Sequence, residues 1–215
     1  MPGSKDVERT FAAGPGRVIG ATTVLFHEGD RADALYEVVS GVFRATKVFQ
    51  DGRRQVVAFA YPGDVIGFGH GDAYRFDCDA LTPARVQVTA RGEIGRVMRS
   101  RPELGEKLLA MAAGEVASMH ELSVLLCRKS AVERIAGFLL SLAGRTGKLG
   151  NEQRVSLPMC RADIADHLGL TIETVSRNLT KLKVRNIIDL PDRGSFILRD
   201  LDRLSALAEC ESVVH

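Results

Sequence analysis

The feature that most constrains this chain is the run MCRADIADHLGLTIETVSRNLTKLKVRNII at residues 159–188. It predicts two short helices joined by a tight turn. Ala165 lets the helices cross closely, Gly169 supplies the open backbone conformation of the turn, and Val175 packs the second helix onto the first. Thr171 is a natural N-cap for the second helix because its hydroxyl can accept an orphan amide proton. This layout is typical of a helix-turn-helix, whose second helix enters the DNA major groove.

The second predicted helix has two distinct faces. On a 3.6-residue period, one face is an apolar stripe made of Ile172, Val175, Leu179 and Leu182. The outward side carries Glu173, Ser176, Arg177 and Thr180. Arg177 can donate two hydrogen bonds to guanine, Glu173 can accept one from the cytosine amine, and Ser176 can serve either partner or pack near a thymine methyl. The alternative is that Glu173 and Arg177 form only an i,i+4 pair on a solvated face.

Basic residues follow on the same helix. From Thr174 to Ile188 there is no acidic residue, whereas four positions in that stretch are basic: Arg177, Lys181, Lys183 and Arg185. Such a strip binds phosphates with an affinity that depends on salt and not on base sequence. We predict that the DNA backbone is contacted by Thr171, Thr180, Lys181, Lys183 and Arg161.

Two short apolar runs come next, Ile187–Leu190 and Ser195–Leu198, on either side of the turn PDRG. They predict a β-hairpin, the wing of a winged helix. Arg193 at its tip is placed to touch a phosphate, although a lone arginine in a turn is more often only solvated.

With the pattern Glu-x-x-Ser-Arg at residues 173–177, this region resembles the DNA-binding domain of the CRP/FNR superfamily of bacterial transcription regulators. The pattern is the version seen in the FNR and FixK branches. The resemblance implies that Glu173, Ser176 and Arg177 recognise inverted repeats with TTGA-like half-sites. It is greatest to FixK-type regulators, which activate genes for microaerobic respiration and nitrogen fixation by recruiting RNA polymerase.

The N-terminal half is rich in short β-type runs punctuated by glycine. Turns are predicted at Gly29-Asp30, Gly41, Asp51-Gly52, Gly63-Asp64 and Gly92, and this spacing is typical of an all-β roll or sandwich. The segments LYEVVSG at 35–41 and PGD at 62–64 are similar to the cyclic-nucleotide-binding β-roll of the same superfamily. The resemblance therefore covers nearly the whole chain.

The segment that would hold a cyclic nucleotide departs from the superfamily pattern. A Gly-Glu step normally supplies a carboxylate to the ribose, and an Arg-Ser step grips the phosphate. Here the chain reads Gly67-Phe68-Gly69-His70-Gly71 and then Arg75-Phe76. We therefore predict no cyclic-nucleotide binding. His27, His70 and Cys78 lack the close spacing of haem or metal ligands, so no metal is predicted.

The four cysteines, Cys78, Cys127, Cys160 and Cys210, form no zinc or iron–sulfur pattern. The N-terminal segment lacks the cysteine cluster of the FNR branch, so we predict a regulator without an iron–sulfur cluster or other cofactor. Most relatives have serine or threonine at position 160. A helix N-terminus and the adjacent Arg161 favour a reactive thiolate at Cys160, and its oxidation would add bulk and negative charge near the DNA phosphates. The alternative is a tolerated small residue.

Composition limits the remaining functions. The net charge is +2, from 29 basic and 27 acidic residues, so affinity for nucleic acid must come from a local arrangement. The chain has no apolar run long enough to span a bilayer and no secretory leader, which predicts a cytoplasmic protein without membrane association. Its few histidines and the lack of a paired catalytic constellation predict that it is not an enzyme.

A long helix is predicted from Pro102 to about Lys129. Its apolar positions predict a two-fold dimer interface formed by Leu108, Met111, Met119, Leu122 and Leu126. Gly114 interrupts them and favours close approach of a partner helix; the alternative is that the helix packs only along its own roll. Ser130 and Glu133 then form a capping-box pattern that opens a new helix.

We therefore predict an α+β fold in three parts: an antiparallel β-roll (1–100), a dimerisation helix (101–129) and a winged helix-turn-helix (130–215). The predicted function is that of a homodimeric regulator binding double-stranded DNA. One alternative is a superfamily member gated by another effector, such as a small molecule or haem in the roll. The other is a β-roll protein that signals through a partner protein.

Overall fold

The computed structural model describes residues 16–68, 72–100, 102–145 and 150–209. The chain divides into two compact units, Met1–Ser118 and Met119–His215. The boundary falls inside one long helix, and the predicted three-part division of the chain stays a prediction.

The first unit holds two four-stranded antiparallel sheets. Their strands are β1 (Gly16–Ile19), β2 (Val24–Phe26), β3 (Ala34–Ser40), β4 (Phe43–Val48), β5 (Arg54–Ala60), β6 (Val65–Ile66), β7 (Asp77–Ala80) and β8 (Ala84–Ala90). One sheet has the order β1-β8-β3-β6 and the other β2-β7-β4-β5. Helix α1 (Arg91–Ser100) follows, and helix α2 (Pro102–Arg128) starts in this unit. The predicted antiparallel roll is confirmed.

Most glycine turns also match the sequence. Gly52 has a φ of 80°, and the Phe49 N–H donates to the Arg53 carbonyl at 2.9 Å across the predicted hairpin. The turn predicted at Gly92 is wrong, since this residue lies in α1. A glycine inside a helix lowers helix stability by only about 1 kcal/mol relative to alanine. The packing of Ile94 of α1 against buried Leu35 and Leu108 offsets this loss.

Four aromatic rings in the core of the roll pack against one another. Phe26 and Tyr74 are stacked with ring centroids 3.7 Å apart. Tyr36 and Phe76 pack against Phe26 at 5.8 and 5.9 Å. The Tyr74 hydroxyl donates to the Ala34 carbonyl at 2.8 Å, which satisfies its one polar group. These rings fill the space between the two sheets with side chains of the protein.

The second unit is a winged helix-turn-helix, as predicted. Its elements are α3 (Ala131–Arg145), β9 (Gln153–Ser156), α4 (Arg161–Leu168), α5 (Ile172–Val184), β10 (Ile188–Asp192), β11 (Ser195–Leu198) and α6 (Leu201–Glu209). The strands form an antiparallel sheet in the order β10-β11-β9. The predicted hairpin is β10–β11, and β9 is a third strand that the sequence did not indicate.

The helix ends follow local rules, with one exception. Helix α2 ends within a residue of its predicted end, and the Ser130 N–H donates to Oε2 of Glu133 at 2.6 Å at the start of α3. The exception is at Ala208 and Glu209, which carry no strong structural signal in the sequence but belong to α6. Ala208 is buried there because α6 packs on α3.

None of the described helices has both the length and the apolar character that a membrane crossing requires.

Candidate nucleic-acid interface

The turn between α4 and α5 depends on Gly169. Its φ is 62°, the left-handed conformation that favours glycine, and the N–H groups of Gly169 and Leu170 both donate to the Ala165 carbonyl. The hydroxyl of Thr171 accepts the Thr174 N–H at 3.2 Å. The predicted turn and the predicted N-cap are both confirmed, so the start of α5 is fixed by local contacts.

Packing of α5 follows the predicted stripe with one correction. Val175, Leu179 and Leu182 are buried. Ile172 is 50 % exposed, so the predicted apolar stripe is buried only from Val175 onward. It is the first residue of α5 and lies beyond the buried part of that face. An apolar side chain is therefore left at the exposed start of the helix.

The predicted base-reading residues lie on one exposed face. Glu173, Ser176 and Arg177 are all exposed in the first two turns of α5. The Arg177 Nε donates to the backbone carbonyl of Glu173 at 3.4 Å. In the described part of the chain no ion pair joins their side chains, so the Glu173 carboxylate and most of the Arg177 guanidinium face solvent.

The electrostatics of Glu173 suit a hydrogen-bond acceptor. Its pKa is lowered, chiefly by a hydrogen bond from its own backbone N–H, then by one from the Thr171 hydroxyl, and further by the charge of Arg177. The carboxylate is ionised at neutral pH and can accept a hydrogen bond from a donor such as the cytosine amine. Thr171 thus contacts both the helix backbone and the side chain of Glu173.

The predicted backbone-contact residues fall into different settings. Lys181 is exposed, and the Thr180 hydroxyl donates to the Ser176 carbonyl at 2.9 Å. Arg161 is half-buried, and burial lowers its pKa. Lys183 instead forms an ion pair with Asp189, with Nζ 3.1 Å from Oδ1. Its charge is therefore partly neutralised.

Asp189 directly follows the stretch from Thr174 to Ile188, which contains no acidic residue. It comes close to Lys183 because β10 runs back past the end of α5. A hydrogen bond from Lys183 is the largest cause of the lowered pKa of Asp189. The same carboxyl group lies near Arg199, whose Nη2 is 3.6 Å from Oδ2. This acid is the functional neighbour that sequence reasoning missed.

Cys160 is the N-cap residue of α4 and is exposed. Its Sγ donates to Oδ2 of Asp163 at 3.1 Å, and its backbone N–H donates to the same oxygen at 3.1 Å. Asp163 itself is only 3 % exposed. The thiol is thus part of the cap at the start of the helix-turn-helix, next to a buried carboxylate.

The predicted dimer residues of α2 do not share one environment. Leu108 is 5 % exposed and packs against Leu35 of its own roll. Met119 is exposed, whereas Met111, Leu122 and Leu126 are half-buried. Among the described side chains of α2, three large apolar residues that the sequence prediction omitted are also exposed, namely Leu109, Val116 and Val124. Space is also open at Gly114, where an added Cβ would meet no atom within 4 Å.

The candidate effector residues are spread through the roll. His27 Nδ1 lies 3.3 Å from Asp77 Oδ1, while Cys78 is buried and burial raises its pKa. Phe76, in the segment that departs from the superfamily pattern, packs against the aromatic core. His70 and Cys210 lie outside the described residues. Within the described ranges, no group of three His, Cys, Asp or Glu side chains is arranged to hold a metal ion.

Two known domain families match the chain: the Crp-like helix-turn-helix domain over residues 133–207 and the cyclic nucleotide-binding domain over residues 17–101. The chain is 41 % identical over 198 residues to the nitrogen fixation regulation protein FixK of Azorhizobium caulinodans, covering 91 % of this chain and 80 % of that protein. It is 40 % identical over 190 residues to the transcriptional activatory protein AadR of Rhodopseudomonas palustris, covering 88 % and 79 %. The solved structure of FixK2 from Bradyrhizobium japonicum superimposes with a TM-score of 0.84 at 35 % identity, covering 92 % of this chain and 98 % of that one.

Proposed function

This chain belongs to the CRP/FNR superfamily of transcription regulators, in its FixK-type branch, and from that premise we propose that it binds TTGA-like palindromes as a homodimer, without cyclic nucleotide or iron–sulfur cluster. The observation that carries the proposal is the exposed triad Glu173, Ser176 and Arg177 at the start of α5. A helix-turn-helix presents base-reading side chains from this end of its recognition helix.

The triad matches one base pair of the proposed half-site in particular. Arg177 would donate to O6 and N7 of the guanine, and Glu173 would accept from the N4 amine of the paired cytosine. Both groups are in the required state, since Arg177 is a cation and the Glu173 carboxylate is ionised. Ser176 would contact a neighbouring base. The phosphates around this base pair would be bound by Thr171, Thr180, Lys181 and Arg161. Lys183 is the weakest candidate for a phosphate contact because it forms an ion pair with Asp189.

A homodimer is supported by α2. Regulators of this superfamily act as dimers, and the exposed Leu109, Val116, Met119 and Val124 give the helix apolar surface for a second copy. The open space at Gly114 would let the partner's backbone approach. A two-fold dimer presents two recognition helices about one DNA turn apart, which suits an inverted repeat.

Action without cyclic nucleotide is supported by the aromatic core of the roll. Phe26, Tyr36, Tyr74 and Phe76 occupy the interior with their own rings. Phe76 stands where the family pattern has a phosphate-binding hydroxyl. The roll would then serve as a scaffold for the dimer.

We further propose that the protein is not an enzyme and acts in the cytoplasm. It would activate low-oxygen and nitrogen-fixation genes through RNA polymerase, in keeping with relatives named as activators.

Oxidation of Cys160 would weaken DNA binding. The thiol is exposed and sits at the start of α4 beside the proposed phosphate contact Arg161. A sulfinate would bring negative charge toward the DNA backbone and remove the S–H donor to Asp163.

The test is a titration of full-length protein against a labelled duplex carrying a TTGA palindrome, with and without cyclic AMP. Tight binding that cyclic AMP leaves unchanged is the expected result. A half-site in which the G·C pair is replaced by A·T should cost the wild type about 1–3 kcal/mol. Arg177→Ala should not distinguish the two duplexes, whereas Arg193→Ala, at the wing tip, should keep the discrimination.

The same titration separates the alternatives. Binding only after the addition of another effector, such as haem or a candidate small molecule, would identify an effector-gated regulator. Wild-type protein that binds the palindrome no better than a scrambled duplex, with Arg177→Ala indistinguishable from it, would indicate signalling through a partner protein.

A further inference from the structure

The guanidinium of Arg134, in the first turn of α3, joins two helices that are distant in sequence. Nη2 donates to the Leu126 carbonyl at 2.8 Å, and Nη1 donates to the Leu168 carbonyl at 2.9 Å. Nε donates to the Lys129 carbonyl at 2.9 Å. One side chain therefore bonds to the last turn of α2 and to the last residue of α4.

Both of these acceptors are carbonyls that their own helices leave unpaired. The last four carbonyls of a helix have no intrahelical partner, and a cation is favoured at this end of the helix dipole. Leu126 and Leu168 lie in the last turns of α2 and α4. The planar fork of arginine presents a separate nitrogen to each carbonyl in a fixed geometry, whereas lysine has a single nitrogen on a flexible stem.

The turn of the helix-turn-helix lies directly against the same end of α2. A Cβ placed on Gly169 would come within 3.2 Å of Leu126 Cδ2 and 3.5 Å of Arg134 Nη1. Such a distance to a carbon atom is tighter than ordinary packing. A side chain at Gly169 would therefore press on Leu126 in addition to straining the turn.

Between α2 and α3 the backbone offers little restraint by itself. Only Lys129 and Ser130 separate the two helices, and neither is helical. A pivot at these two residues would swing α4 and α5 relative to the end of α2. The bonds of Arg134 to Leu126 and Leu168 oppose that rotation because they connect the elements on either side of it.

We propose that Arg134 is a positioning residue that fixes the recognition helix to the end of α2 and thereby selects the spacing of the two half-sites. This rests on the proposed function, because spacing matters only if two copies bind one palindrome. In a dimer joined through α2, the separation of the two recognition helices is set by how each is attached to its own α2. Arg134 would act without touching a base or a phosphate.

The experiment uses full-length protein and three kinds of duplex: the preferred palindrome, palindromes with the half-sites one base pair closer or farther apart, and a single half-site. Arg134→Gln keeps an amide donor but loses the charge and the fork. We expect it to bind the preferred palindrome at least about tenfold more weakly and to lose most of the wild-type preference among spacings. Its affinity for the single half-site should stay within about twofold of wild type, because α5 itself is unchanged.

Two further variants make the result decisive. Arg203→Gln is the matched control, since Arg203 is an exposed arginine that also donates to a carbonyl, that of Arg185, at 3.3 Å. It should leave all affinities unchanged. Arg134→Lys keeps the charge and so protects the fold, but its single nitrogen lacks the rigid fork that holds the two helix ends in one geometry. It should retain the wild-type melting temperature within a few degrees and still show a weakened spacing preference.

The inference is overturned if both Arg134 variants keep the wild-type spacing preference, or if they lose affinity by the same factor on the palindrome and on the half-site. The second outcome would assign Arg134 a role in folding alone. Wild-type protein that does not prefer a palindrome to a scrambled duplex would instead overturn the proposed function, so the two failures are distinguishable.

Discussion

Cys160 and Asp163 share a hydrogen bond at the start of the helix-turn-helix, with the thiol sulfur 3.1 Å from a carboxylate oxygen. The same oxygen also accepts the backbone N–H of Cys160. Because Asp163 is almost fully buried, a sulfinate at Cys160 would place a second negative group beside a carboxylate that water reaches poorly. Such a pair is costly. Oxidation would therefore disturb the start of α4 in addition to repelling phosphate.

Peroxide treatment tests this directly. Two equivalents of hydrogen peroxide convert the thiol to the sulfinic acid and release two waters. We expect the treated wild type to bind the palindrome at least about tenfold more weakly, whereas treated Cys160→Ser keeps its affinity. That variant retains Cys127, which is the second exposed thiol among the described residues, and so controls for oxidation there. Equal losses in the two proteins, or a loss in neither, would exclude Cys160 as the control point.

The contrast between Lys181 and Lys183 predicts different salt dependences. Lys181→Ala should weaken binding to all duplexes alike and reduce the slope of log K against log salt by about one. Lys183→Ala should change the slope by clearly less, because Asp189 already pairs with that lysine. The slopes are read from titrations at several salt concentrations. A larger change for Lys183→Ala than for Lys181→Ala would contradict the assignment.

The lowered pKa of Glu173 makes a prediction about pH. A depressed pKa means that the charged form persists as the pH falls, and is lost only when the pH passes below the ordinary 4.5. The advantage of wild type over Glu173→Gln in binding a TTGA palindrome should therefore stay constant from about pH 8 to about pH 5.5. Titrations of both proteins across this range measure it. An advantage that shrinks steadily toward pH 5.5 would mean that the carboxylate titrates higher than its surroundings imply.

Leu108 and Val116 are expected to separate folding from dimerisation. Leu108→Ala should lower the free energy of unfolding by about 2–5 kcal/mol, because it leaves a cavity against Leu35, and should leave the dimer intact. Val116→Asp should leave the fold of each chain intact but disrupt the dimer. The side chain is exposed within the single chain, whereas a partner helix would desolvate the new carboxylate. Sedimentation gives the oligomeric state and thermal melting gives the stability. A dimeric Val116→Asp would show that another surface holds the two copies together.

The helix-turn-helix was determined by the sequence alone because its signals are local. Gly169 in the turn and Thr171 at the N-cap depend on neighbours within a few residues, and the helical period places Val175 on one face and Glu173 and Arg177 on another. The hairpin at Asp51-Gly52 is of this kind too. Such contacts form wherever the segment folds, so their pattern can be read in one dimension.

Only the tertiary structure decided which partners meet between different helices and strands. In the sequence Lys183 resembles a free phosphate contact, but in the structure β10 places Asp189 beside it. The apolar spacing of α2 likewise does not indicate that Leu108 packs on its own roll whereas Leu109 is 72 % exposed. Arg134 gives no sign in the sequence of the two carbonyls that it joins. Periodicity determines that a helix has an apolar face, but what covers that face, and which charges are neutralised, depends on packing between elements that the chain brings together only when it folds.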